Sequence, residues 1–194
     1  MEITSAQLKE LRDQTGVSVM QCKRALEEAG GDMDKAKIIL LKKSGEIAQK
    51  KSDRALGAGA IGSYVHSTNE VAALVELSCE TDFVAKNAEF IALAREIAMH
   101  VAAQNPLYVR RDQVTPEAMQ KAREVFMEEV KDKPAEIREK VLGGKLDAYF
   151  KDRVLLEQPF IKDPERTIGD LVTAAIQKFG ENIVVSRISR LSVK

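Results

Sequence analysis

Glu76-Leu77-Ser78-Cys79-Glu80-Thr81-Asp82-Phe83-Val84-Ala85-Lys86 is the stretch in which one backbone period gives way to another. Upstream, Val71, Ala73, Val75, Leu77 and Cys79 alternate with Ala72, Leu74, Glu76 and Ser78. A period of two marks a strand with one buried face. Downstream, Phe90, Ile91, Ala94, Ile97, Ala98 and Val101 mark the apolar side of a helix that reaches about Ala103, and Asn105-Pro106 ends it. At the corner, either Thr81 or Asp82 can cap the helix by accepting from an orphan backbone N–H. Phe83 lies only about 40° from Ile97 in helical phase, taking ~100° per residue. Its ring therefore either completes the core stripe or projects from the turn, and spacing leaves both open. A projecting aromatic suits the probing of another protein, because it offers a large contact area at low rotamer cost.

Working outward, Ala60-Ile61-Gly62-Ser63-Tyr64-Val65-His66 reads as the strand before, with Ser67-Thr68-Asn69-Glu70 as turn chemistry between the two. The tail, Ile183 to Val193, is rich in Val and Ile and supplies a third strand. Thr167-Ile168-Gly169-Asp170 opens a last helix carrying Leu171, Val172, Ala175, Ile176 and Phe179, which Gly180 closes. Between Pro106 and that helix, Thr115-Pro116-Glu117 opens a helical region, Pro being favoured at the first helical position. Lys131-Asp132-Lys133 separates it from another that begins at Pro134. Gly143-Gly144 predicts an interruption, after which Leu146 to Leu156 is helical again.

The first fifty residues form a three-helix pattern. Thr4 or Ser5 caps a helix bearing Leu8 and Leu11 that ends at Gly16. Ser18-Val19-Met20-Gln21 has capping-box form and opens a second, with Met20, Ala25 and Leu26 apolar and Gly30-Gly31 as its stop. Asp32 caps the third, with Ala36, Ile39 and Leu40 inward. The charged stretch Lys42 to Arg54 is the end of that helix plus a linker; its lysines lack interleaved aromatics and read as a solvated face. The predicted fold class is α+β. Residues 1–54 make a ubiquitin-associated-like helical bundle and linker. Residues 55–194 make a core with a three-stranded antiparallel sheet packed on helices, with a helical insertion at about 107–160.

Composition narrows the chemistry. The 194 residues are 44% hydrophobic and 31% charged, with 30 basic against 30 acidic side chains, so no bulk field draws the chain to nucleic acid or lipid. No apolar run approaches the roughly 20 residues of a membrane span. Met1-Glu2-Ile3-Thr4 lacks the basic start and apolar core of a secretory signal. Cys22 and Cys79 have no pairing framework, which points to reduced thiols in a cytoplasmic protein. There is no HExxH, CxxC or complete phosphate loop, and no metal ligand set is expected. His66 and His100 read as ordinary surface or helix-end residues. Cys79, on the apolar side of its strand, reads as a small buried hydrophobe and not a thiolate.

Two stretches resemble signatures of the elongation factor Ts family. One is the corner quoted first; the other is Leu11-Arg12-Asp13-Gln14-Thr15-Gly16-Val17-Ser18-Val19-Met20-Gln21-Cys22-Lys23-Arg24-Ala25-Leu26. Gln21 departs from the acidic residue more usual in the family, and Ser78 from the usual Asn. In that second stretch Leu11, Met20 and Leu26 also make sense simply as core. The resemblance covers almost the whole chain and matches short members with one core module, which are thought to pair as homodimers. It implies a translation elongation factor that binds elongation factor Tu carrying GDP, displaces Mg²⁺ and promotes GDP release. Such a factor is no covalent catalyst and needs no cofactor of its own. The resemblance places Thr81, Asp82, Phe83 and Val84 near the magnesium and phosphate region of the partner. It places Arg12, Val19, Met20 and Lys23 against the partner's nucleotide-binding domain. No direct nucleic-acid or membrane contact is expected. Two other readings remain on the residues alone: an adaptor whose helical bundle holds peptides, and a thiol enzyme using Cys79.

Overall fold

Each of the first three helices begins where a side-chain oxygen closes its first turn. Thr4 and Gln7 form a reciprocal capping box at the head of α1 (Ser5–Thr15). Ser18 accepts from the Gln21 backbone N–H at the head of α2 (Val19–Glu28). Asp32 accepts from the Asp34 and Lys35 N–H groups at the head of α3 (Met33–Lys51). The computed structural model describes residues 3–132 and 134–193. Met1 and Glu2, read above for a signal, lie outside the described residues, as do Lys133 of the connector and Lys194. The three helices enclose Leu11, Val17, Cys22, Ala25, Leu26, Ala36 and Leu40. Met20, expected among the apolar members, is instead 59% exposed, the inward side of α2 being taken by Cys22, Ala25 and Leu26.

Strands β1 (Ala58–Val65) and β2 (Val71–Cys79) form the expected hairpin, and β5 (Val184–Ser192) pairs on the other side of β2. The sheet is antiparallel with order β1-β2-β5, placing Gly62 opposite Val75 and Val75 opposite Ile188. The fold is therefore α+β, an N-terminal helical region followed by a three-stranded antiparallel sheet packed on helices. Long helix α5 (Ala88–Gln104) lies across the core face and buries Phe90, Ala94, Ile97, Ala98 and Val101 with Val75, Leu77 and Cys79. Ile91, assigned to that apolar side, is 45% exposed at the margin of the stripe. The approach of α5 to β1 is very close. A Cβ on Gly62 would sit 2.1 Å from the Ala94 carbonyl oxygen and 2.2 Å from its carbon. Helix α8 (Ile168–Phe179), capped by Thr167, covers the rest of the core with Val172, Ala175 and Ile176.

The segment between α5 and α8 differs from expectation in three places, one being that the helix expected to reach Leu156 ends at Lys151. Helix α6 (Pro116–Val130) is followed by α7 (Ala135–Lys151), which runs unbroken through Gly143 and Gly144. The two glycines cost helix propensity, but Leu142, Leu146 and Phe150 flank them on the face packed with Ala122 and Val130, and tertiary burial overrides the local penalty. A small ribbon, β3 (Pro159–Phe160) with β4 (Asp163–Thr167), was not anticipated. His100 is the other correction. It is fully buried, and its partners fix its tautomer. The Gln158 amide donates to the Asp152 carbonyl at 2.6 Å, which turns its oxygen to accept from His100 Nε2 at 3.0 Å. His100 Nδ1 then accepts from the Ile161 N–H at 3.4 Å.

Two outcomes are expected. Gly62→Ala should destabilise the chain by about 2–3 kcal/mol or prevent folding, since backbone must move to admit the methyl; chemical denaturation measures it. Burial holds the His100 imidazole below its usual value, so the unfolded chain takes up that proton first. Its contribution to stability is full above the ordinary imidazole value of about 6.5 and is lost as pH falls towards the folded-state value. Melting curves at falling pH should show that loss, and His100→Gln should remove it.

Candidate functional site

After Cys79 the chain leaves the sheet, and Thr81 starts a single helical turn, α4 (Asp82–Ala85). Thr81, not Asp82, is the cap: its hydroxyl accepts from the Val84 N–H at 3.4 Å. The turn stops at Lys86, and Asn87 caps α5 afresh by accepting from the Glu89 N–H at 2.9 Å. This break decides the open question about Phe83. Helical phase cannot carry from Ile97 back across a restart, and the ring is 82% exposed. Val84, one residue on, is buried in the main core beneath it. One side chain of the turn thus anchors while its neighbour projects.

Asp82 stands beside Phe83 with its carboxylate 2.7 Å from the Lys86 ammonium, both side chains largely in solvent. That hydrogen bond and the Lys86 charge hold the Asp82 carboxyl below the usual carboxylate range. An exposed pair of this kind adds little to stability and parts readily for a competing charge. The tip therefore offers an ionised carboxylate and an uncovered ring side by side.

The turn is held from a segment about a hundred residues further along. Glu181 Oε2 accepts from the Glu80 N–H at 3.1 Å and the Thr81 N–H at 3.0 Å, while its Oε1 accepts from the Thr81 hydroxyl at 2.6 Å. Glu80 Oε1 in turn accepts from the Asn182 N–H at 2.6 Å and from Arg54 at 3.4 Å. Those contacts, the Asn182 bond foremost, keep the Glu80 carboxyl low. Buried Asn182 donates through its amide to the carbonyls of Ser52 and Arg54, in the linker after α3. No local pattern announced Glu181 or Asn182; the only cue is their place directly after Gly180, a left-handed helix stop with φ of 73°, like Gly16 at 68°.

Cys79 lies under the same corner, fully buried, with its thiol donating to the Thr81 carbonyl at 3.2 Å. Burial, and then the Glu181 charge, push this thiol up from its ordinary value. It serves as a buried hydrogen-bond donor to the Thr81 carbonyl. Among the described residues there is no cluster of His, Cys, Asp and Glu suited to a metal ion. No described helix is long and apolar enough to cross a membrane.

The second group of residues stands apart from the tip, on the helical region. Arg12 near the end of α1 and Val19, Met20 and Lys23 on α2 are all exposed around the Gly16 turn. Val19 and Met20 are 47% and 59% exposed, an unusual use of large apolar side chains on a helix whose buried face is already filled by Cys22, Ala25 and Leu26. Lys23 has a loose 3.8 Å contact to Glu27.

A family profile described as Elongation factor TS matches residues 8–175. The elongation factor Ts of Thermodesulfovibrio yellowstonii is 47% identical over 194 residues, covering 100% of this chain and 97% of that protein. That of Carboxydothermus hydrogenoformans is 48% identical over 193 residues, covering 98% of this chain and 89% of that one. That of Thermotoga petrophila is 47% identical over 193 residues, covering 100% and 97%. With a profile match along most of its length and near-half identity to relatives from end to end, the chain belongs to the elongation factor Ts family.

Proposed function

We propose that this chain is a guanine-nucleotide exchange factor for elongation factor Tu, acting in the cytoplasm by wedging and not by covalent chemistry. A partner that holds GDP at nanomolar affinity must surrender about 12 kcal/mol to release it. With association near 10⁶ M⁻¹s⁻¹, release takes place at roughly 10⁻³ s⁻¹, too slow for repeated rounds of translation. A factor that binds the empty partner better than the loaded one weakens the nucleotide by the same ratio. A ~10⁴-fold effect needs about 5.5 kcal/mol of differential binding.

The observation that carries this reading is Phe83, an uncovered aromatic on a turn whose next residue is locked in the core. In the proposed mechanism the ring enters between packed elements of the partner. Asp82, free to leave Lys86, disturbs polar groups that support the partner's magnesium. Loss of that ion removes the charge compensation of the phosphates, and GDP departs. Thr81 and Val84 contribute by holding the turn. Arg12, Val19, Met20 and Lys23 grip the nucleotide-binding domain, the exposed apolar pair giving contact area and the cations orientation. The division of labour follows residues 1–54 and 55–194, with 107–160 as an insertion; it is supported by one hydrophobic cluster within 1–54 and another within 107–160, while the main cluster also takes in Ile47 and Ala48 from the first segment and Val109, Leu155 and Phe160 from the insertion.

Homodimer formation is the second part of the proposal, supported by the outer face of the sheet. Ile61 and Val65 on β1, Leu74 on β2 and Leu191 on β5 are all exposed. The register sets Ser63 opposite Leu74, Val65 opposite Ala72, and Ala72 opposite Leu191, so they share one side. Glu76, ion-paired to Arg187, with Ser63 and Ser189 lies on the same side, and an apolar patch bordered by such polar groups is suited to a second copy of itself.

Stopped-flow release of labelled GDP from elongation factor Tu tests the wedge. Phe83→Ala should slow accelerated release by at least tenfold while leaving the melting temperature almost unchanged, because the ring supports nothing in its own chain. Release as fast as with the unaltered chain would refute the mechanism. Leu74→Asp should weaken self-association at least about thirtyfold, as expected for the loss of a ~2 kcal/mol hot spot; sedimentation equilibrium reads the change.

A further inference from the structure

We infer that Glu181 is a positioning residue for exchange: its carboxylate sets the turn from which Asp82 and Phe83 project. The inference rests on the wedge reading of Phe83 and adds to it the part that makes the wedge rigid.

The ladder of β2 ends at Cys79, which is paired with Ala58 and accepts from the Gly57 N–H. Glu80 and Thr81 lie past that last pairing, so their N–H groups have no strand partner. Glu181 supplies one for both, and its other oxygen takes the Thr81 hydroxyl. Both carboxylate oxygens are thereby engaged, and the hydroxyl that donates to Glu181 is the one that accepts from Val84 N–H. A relay runs from carboxylate to cap to helical turn, and Phe83 lies inside the turn it closes. Charge-assisted bonds of this type are shorter and stronger than neutral ones.

The pairing is reciprocal. The side chain of Glu181 holds the backbone of residues 80 and 81, while the side chain of Glu80 holds the backbone N–H of Asn182. Asn182 then secures the linker carbonyls, and the Cys79 thiol holds the Thr81 carbonyl from below. The exposed ring has no packing of its own to direct it. Its direction is the direction of its backbone, and a wedge transmits force only if its base does not yield. A residue that stiffens the base therefore affects release without touching the partner's nucleotide.

The test uses the full chain and elongation factor Tu loaded with labelled GDP, at saturating factor concentration. Glu181→Ala should lower maximal release by about tenfold, the equivalent of 1.36 kcal/mol in barrier. Glu181→Gln, which keeps the volume and one acceptor, should fall between. In a Phe83→Ala background the Glu181→Ala change should have no further effect, since both act through one element. Hydrogen exchange should quicken at the Glu80 and Thr81 amides and stay unchanged at Val75 and Leu77. Should Glu181→Ala not fold, the Gln variant and its cycle with Phe83→Ala decide the matter. Full release rates in both Glu181 variants, or a Glu181 effect undiminished without the Phe83 ring, would overturn the positioning role while leaving the wedge standing. Full release by Phe83→Ala alone would instead remove the wedge itself.

Discussion

Backbone contact between α5 and β1 is the constraint on which the rest of the molecule depends. With no side chain at Gly62, the Ala94 carbonyl comes down onto the strand, and the small residues Ala94 and Ala98 keep the helix there along its length. The close seat lets Phe90, Ile97 and Val101 reach the central strand, where Val75 and Leu77 are wholly buried. It also fixes where α5 must begin. The chain leaves β2 at Cys79 and has eight residues, 80–87, in which to turn and rise to that seat. Within that span the chain makes the single turn α4 and starts α5 afresh at the Asn87 cap.

The restart gives the exposed tip. Two caps within seven residues, Thr81 and Asn87, make α4 a separate turn whose outward side need not match that of α5. Burial of Val84 pins the turn to the core, and once it is pinned Phe83 has only solvent to face. The aromatic is thus not a failure of packing. It is the other half of a short turn whose inward half is satisfied.

Much of this was legible in the residues. Alternation from Val71 to Cys79 defined β2 because one face is buried and the other is not, and the helix stripe from Phe90 to Val101 was clear for the same reason. Thr4, Ser18, Asp32 and Thr167 could be read as caps because capping is local chemistry. What stayed hidden was set by distant segments. Gly143 and Gly144 look like a break until the partner helix covers their neighbours. His100 looks peripheral until Gln158 and Ile161 close over it. Met20 fits an apolar stripe, yet the bundle is full without it. Phe83 was undecidable because helical phase presumes an unbroken helix. Glu181 had no cue beyond its place after Gly180, its partners being a hundred positions away.

The paired glycines of α7 carry a consequence of their own. Open space surrounds the place where either Cβ would stand, so nothing in the packing demands glycine at 143 or 144. Each weakens the helix interior by about 1 kcal/mol relative to alanine. The α6/α7 hairpin is therefore built with a built-in soft point on a segment whose small core is separate from the main one. That hairpin is the expected first place of partial opening, while the turn bearing Phe83 draws its support from the main core and from Glu181.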